Sequence, residues 1–368
     1  MLCPCGSGRQ ADACIVHLAQ TVLVVPSYFG ESIRNDRWRE VEKEGLGPLR
    51  GISDGIKQHE LRFAGALPDF DNLPELFIAS DYSGSATDKS AKYELFSFLI
   101  FPYHNARRWQ TERLEVRKRF LTDRSMSFKN LNDGMRRRAL PYFLSAANHI
   151  PGILIAAAVS KSNRSLFQRG GRLDMNAPDL QPYKHWKPDT FEKLLRVVYF
   201  LTFFLAGLSK EGQSFVWYSD DDDIAPNRKR LRELGEVWRN VITHVVPHRV
   251  PNVTIGTKKD DDPSRSLTDV LAVPDLACAA WCQLLARVPA WDFINGAPSV
   301  QEAFRAATPG ALEILSWFAT PSQELKRLLC IIDDPQPDHK VNYMCSMPPA
   351  LDAFKKSVDA EIASRAVA

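Results

Sequence analysis

The stretch SFVWYSDDDDI, residues 214–224, joins a strand-forming run of apolar and aromatic residues directly to four consecutive aspartates. Val, Trp and Tyr fit the pleated, half-buried surface of a sheet. Four adjacent carboxylates repel one another, and each requires water or a counter-charge. A strand that ends this way sets its acids at the rim of a sheet. What stands opposite them decides how the chain is read.

Working outward, LFIASDYSG (76–84) reads as a first strand ending in Asp81 and a Gly-containing turn. YELFSFLIFPY (93–103) reads as a second strand, close enough to pair as a hairpin. GILIAAAVS (152–160) is a third, fully buried strand, SFVWYS (214–219) the fourth and VPNVTIGT (250–257) the fifth. Helical spacing covers 107–121, 132–150, 189–210 with Asp189 as N-cap, 227–242, and 267–288 with an interruption or kink at Pro274. Strand, strand, helical insert, strand, helix, strand, helix, strand, helix is the order of the ribonuclease H-like fold, an α/β architecture with a mixed five-stranded sheet flanked by helices. Right-handed crossovers set the fourth strand parallel to and beside the first. Asp81 and the 220–223 aspartates then share one carboxyl edge, where open α/β sheets carry their sites.

The domain is bounded at 76–288, with a basic helical insert at 106–149. A linker and helical segment (26–75, with SIRNDRWREVEKEG read as helix) precedes it, and a helical C-terminal extension (289–368) follows. At 368 residues the chain is long enough for a sizeable core, and its net charge of +3 gives no whole-molecule attraction to polyanions. Apolar runs such as VVYFLTFFLAGL (197–208) are shorter than a bilayer span, and MLCPCGSGR lacks the features of a signal peptide. The expectation is a cytoplasmic protein without membrane contact, whose seven cysteines are thiols or metal ligands.

Four places converge in such a sheet: Asp81, the run from Asp220, Glu192 in the first turn of the helix after strand three, and Asp275 on the last helix. Alternation favours Asp220 and then Asp222 as the inward members of the run, with Asp269 as the fallback for Asp275. Carboxylates meeting in a cleft can share Mg²⁺ or Mn²⁺, and a pair of such ions activates water for phosphodiester cleavage. The expectation is therefore a divalent-metal-dependent hydrolase in which Asp81, Asp220 and Asp275 hold metal and Glu192 is the fourth carboxylate. Each acid also has a plain reading as turn former, solvated loop, helix-dipole charge or cap.

Residues 76–288 resemble the bacterial ribonuclease H-like family catalogued as domain of unknown function 3800. The resemblance rests on Asp81-Tyr82-Ser83-Gly84, where the family has D-E-S-G, and on VLAVPDLACA (270–279), where it has a helix like LLQLADLIAG. Tyr82 stands in place of the family's Glu, and Pro274 is a second departure. The resemblance implies a ribonuclease H-like fold and a metal-dependent nuclease, with the family's second acid falling on Asp220 or a neighbour. At the N-terminus, CPCGSGRQADACIVH resembles the SEC-C motif, which implies Zn²⁺ on Cys3, Cys5, Cys14 and His17 across 1–25 and a protein partner docked there; Ile15 follows Cys14 where the motif has Cys or His.

Residues 106–138 contain eleven Lys or Arg against four acids, with Trp109 and Phe120 interleaved. Arg107, Arg108, Arg117, Lys118, Arg136 and Arg137 are the candidate contacts to a DNA or RNA backbone. Two function classes follow: a nuclease, or an interaction protein that keeps the fold and docks through its zinc motif and basic insert. Convergence of the carboxylates favours the first, and Asp275 tied up as a cap favours the second. A transposase-type polynucleotidyl transferase would use the same acids.

Overall fold

The computed structural model describes residues 37–41, 48–84, 91–162, 173–220, 223–288, 298–333, 342–346 and 351–367. Seven strands form one sheet: β1 (Glu75–Ser83), β2 (Tyr93–Phe101), β3 (Gly152–Ser160), β4 (Ser214–Ser219), β5 (Val253–Thr257), β6 (Leu325–Asp333) and β7 (Asn342–Ser346). Their order is β5-β4-β1-β2-β3-β6-β7. β1, β2 and β3 are antiparallel neighbours; β4 lies parallel to β1, β5 parallel to β4, and β6 parallel to β3. β7 closes the far side antiparallel to β6.

The five expected strands form as read. The sheet is larger than five strands, however, because the C-terminal segment expected to be helical supplies β6 and β7. LKRLLCIID alternates less clearly than a half-buried strand does, since it is covered on both faces. Leu325, Leu329 and Ile331 enter one core while Leu328, Cys330 and Ile332 enter the other. A continuous apolar run of this kind does not separate strand from buried helix by periodicity.

Helices cover both faces. On one lie α1 (Pro48–Arg62), α4 (Pro188–Leu208) and α5 (Arg228–Val245), packed on Ile78, Phe96, Phe98, Ile155 and Trp217. On the other lie α2 (Arg107–Val116), α3 (Gly134–Ala147), α6 (Ser266–Leu285), α7 (Pro298–Ala306), α8 (Pro309–Ala319) and α9 (Asp352–Val367), packed on Phe77, Ala79, Leu95, Leu99 and Leu154. α6 has the length and apolar composition of a membrane-crossing helix, and its burial against β1 and β2 accounts for that composition.

Local chemistry sets the helix ends. Asp133 accepts from the amides of Met135 and Arg136 and caps α3, and Asn227 caps α5 through Arg230. α4 begins at Pro188 after Lys187, so Asp189 sits in its first turn rather than at the cap. Asp261, outside α6, accepts from the amides of Leu267 and Thr268 at 2.8 Å each. Neither Pro141 nor Pro274 ends its helix. The segment 37–41 is irregular rather than helical, and its Trp38 is buried against Phe203.

That last contact depends on Gly207. A Cβ there would overlap the Trp38 indole, and neither α4 nor the buried ring has room to yield. Gly207→Ala is expected to destabilise the fold by about 1–3 kcal/mol, read as a lower urea midpoint with an unchanged slope.

Candidate functional site

The β1–β4 register ends at Ser80 opposite Ser219, and the β4–β5 register ends at Ser219 opposite Thr257. One residue beyond those registers stand Asp81, still within β1 and opposite Ser97 of β2, and Asp220 and Lys258, the first residues after β4 and β5. Lys258 forms an ion pair with Asp220. Asp223 is paired with Lys193 of α4 at 2.6 Å. Lysines therefore stand against both described members of the four-aspartate run; Asp221 and Asp222 lie outside the described residues.

Asp275 approaches from α6. Its Oδ2 accepts the backbone N–H of Phe128 at 2.8 Å, holding the short turn Phe128–Asn130 against the helix. Burial raises its carboxyl to about 6, opposed by that hydrogen bond and assisted by the negative charge of Asp220. On the next turn, Cys278 is fully buried and donates to the Leu95 carbonyl at 3.4 Å. Burial first, and then the charge of Asp81, push its thiol well above the ordinary value, which keeps it protonated and a poor nucleophile. A cavity of about 460 Å³ lies beside these residues, lined by Ser83, Gly84, Ala91, Ala279, Cys282 and Arg287. Among the described residues, no carboxylate lines it.

Asp81, Asp220 and Asp275 thus share one end of the sheet, as the sequence order implies. They do not make the expected metal centre. Among the described residues, no three His, Cys, Asp or Glu side chains are grouped to hold a metal ion. The expectation of a two-metal nuclease with Mg²⁺ or Mn²⁺ at these aspartates is overturned by that finding. Its physical reason is that the protein's own groups already engage them: an ammonium on Asp220 and a backbone amide on Asp275. Cys278, Cys282 and Cys330 form no metal-binding group among the described residues. Cys3, Cys5, Cys14 and His17, the residues expected to bind zinc, lie outside the described residues.

Glu192 is corrected as well. It lies on α4, on the opposite face of the sheet from α6. There it accepts from Arg196 Nε at 3.1 Å, and Arg196 reaches Glu94 of β2 at 2.9 Å. All three side chains are buried. Tyr82 follows the same alternation: its hydroxyl meets Ser80 Oγ at 2.6 Å and its ring packs towards Phe96 and Phe98, away from Asp81's face.

Asp269, the fallback acid, is fully buried and binds two arginines. Arg117 Nε donates to Oδ2 at 2.6 Å and its NH2 group to Oδ1 at 2.8 Å, a bidentate pair; Arg113 donates to Oδ2 at 3.1 Å. Arg113 also holds the Ser264 carbonyl at 2.9 Å, and Arg117 the carbonyls of Thr122 and Arg124. Arg117 is therefore a structural clamp rather than a surface contact. Arg136 is engaged with the Ser125 carbonyl and Asp133, Arg137 with Glu313, and Arg108 with Glu112. Arg107, Lys118, Arg119, Lys129 and Arg138 are exposed and make no ion pair among the described residues. Trp109 is buried on Phe143.

Lys258 was legible in the sequence but unused. KKDDD begins where β5 ends, one residue after the register that carries DDDD at the end of β4, so acid and base were bound to meet. Arg119 and Tyr142 left no such signal, because which side of a helix faces solvent depends on the partner helix.

Two outcomes follow. Unfolded, Asp275 titrates near 3.8 and folded near 6, so the native state holds the extra proton between those values and stability falls as pH rises from about 4 to about 6. Asp275→Asn keeps an oxygen for the Phe128 amide and removes the fall; urea denaturation is expected to show near-equal stability at pH 4 and an Asn variant more stable by about 3 kcal/mol at pH 7.5. Asp269→Ala strands two buried guanidiniums and is expected to cost about 3–5 kcal/mol in the same measurement.

No family model matches the chain, and no curated protein matches it in sequence.

Proposed function

We propose that this chain is a nucleic-acid-binding protein of ribonuclease H-like architecture. On this reading, a phosphate backbone lies on the cationic face formed by α2, the turn that follows it, and α3. The observation that carries the reading is the accounting of charge on that face. Of the eleven cations in 106–138, the buried ones are consumed by Asp269. Those at the surface include Arg107, Lys118, Arg119 and Arg138, exposed and without an acid partner among the described residues. Exposed like charges on adjoining elements repel each other, and a polyanion relieves that repulsion while releasing its own counter-ions.

The fold assignment is supported by the order β5-β4-β1-β2-β3, with the β1–β3 meander antiparallel and β4 and β5 parallel to β1. The acidic end of the sheet takes a structural part in this reading. Asp275 holds the Phe128 turn on α6, and that turn leads into α3, the helix that carries Arg138.

The test is fluorescence polarisation with labelled DNA and RNA oligonucleotides over a series of salt concentrations. Wild-type affinity is expected to fall steeply with salt. Arg107→Glu and Lys118→Glu are each expected to weaken binding several-fold and to flatten the slope of log K against log salt by about 1 per lost phosphate contact. Binding that is indifferent to salt and to both reversals removes this face from the interaction.

A further inference from the structure

The surface of the insert carries a feature that backbone attraction does not require. Phe120 and Tyr142 stack with ring centroids 4.8 Å apart and planes 21° from parallel. The Arg119 guanidinium lies 5.2 Å from the first centroid and 5.7 Å from the second. Tyr142 is 48% exposed, one of three large hydrophobic side chains left in solvent among the described residues; Leu114 on α2 is another. A half-exposed phenol ring forgoes part of its burial, and α3 has buried positions that take its other aromatic, Phe143.

The backbone presenting this stack is itself unusual. Arg117–Leu121 is a π-helical turn, a geometry found mostly as short insertions at functional sites. It ends at Thr122, a β-branched residue at φ 50° and ψ −107°. Such a residue at positive φ is strained, and the strain persists only where the surroundings over-determine it. Here they do. Arg117, fixed by Asp269, holds the Thr122 and Arg124 carbonyls, and Arg265 donates to the Asp123 carbonyl from the start of α6. Relaxing the turn to a regular helix would rotate Arg119 and Phe120 around the helix axis relative to Tyr142. The clamp thus maintains a cation and two rings together at the surface.

We infer that Tyr142, Phe120 and Arg119 form a base-stacking platform, and that the ligand of this face is single-stranded nucleic acid. The inference rests on the proposed nucleic-acid reading. An unpaired base presents a π-face that duplex DNA keeps within its own stack. Arg138 lies one turn before Tyr142 on the same side of α3, and Lys118 adjoins Arg119, so phosphates flanking a stacked base meet positive charge on both sides. Lone cations would suit any polyanion; cations around an exposed ring pair suit one whose bases are free.

The experiment compares wild type, Tyr142→Ala, Tyr142→Phe and Lys118→Glu, all as full-length chains, by fluorescence polarisation. The probes are a 12-nucleotide single strand, a duplex of the same length, and a single strand with consecutive abasic sites. The expected result is tightest wild-type binding to the intact single strand, an approximately tenfold loss for Tyr142→Ala on that probe alone, and recovery by Tyr142→Phe, which keeps the ring. Circular dichroism and the urea midpoint of Tyr142→Ala should match wild type. Equal losses on the abasic strand, or no loss on the intact one, overturn the platform. If that happens while Lys118→Glu still weakens all three probes, the cationic-face reading stands without it. Failure of the wild type to bind any probe ends both.

Discussion

A carboxylate with no exposure to water, held by two guanidiniums, fixes the geometry of the second helical layer. Asp269 alone would be too costly to bury, as would Arg113 or Arg117. Together, with Arg117 bidentate and the remaining donors on the Ser264, Thr122 and Arg124 carbonyls, they satisfy one another. A buried ion pair of this kind contributes little net stability over an apolar equivalent. What it supplies is position. It fastens α2 and its π-turn to the first turn of α6, and everything between 117 and 130 is laid out from that anchor.

From the same anchor the chain runs to Phe128, whose amide is taken by Asp275 one and a half turns further along α6. α6 therefore grips the insert twice, once by a charged pair in its first turn and once by a carboxylate that burial and Asp220 drive towards its neutral form. The acids at the sheet's end belong to this scaffold. Asp220 faces Lys258 and Asp223 faces Lys193, so both described members of the aspartate run meet a lysine of the protein itself.

Much of the fold was legible because its signals are local. Strands β1 to β5 are dense in apolar and aromatic residues and punctuated by turns, and the order in which they alternate with helices restricts the topology to few choices. The acids at 81, 220 and 275 were rightly placed at one end of the sheet. Three readings failed for reasons of tertiary origin. Glu192 was drawn into the group by its place in the order, but α4 covers the opposite face, and no sequence pattern reports which face a crossover helix takes. β6 was missed because double-sided burial erases period-two alternation, and its antiparallel neighbour β7 was missed with it. Arg117 counted as a surface cation because a helix carrying arginines on most of its sides does not say which of them a distant aspartate will claim.

The sequence by itself determined strands β1 to β5, the shared carboxyl edge of Asp81 and Asp220 and the charge excess of the insert, since each follows from spacing along the chain and the alternation of side chains. Only the tertiary structure decided what those charges do. It set Lys258 beside Asp220 through the parallel register of β4 and β5, turned Asp275 into the acceptor for a turn 147 residues away, and divided the arginines of the insert into clamp and surface. The physical reason is that a charge acquires its role from whatever shares its desolvated surroundings, and in this fold the partners come from segments far apart in the chain.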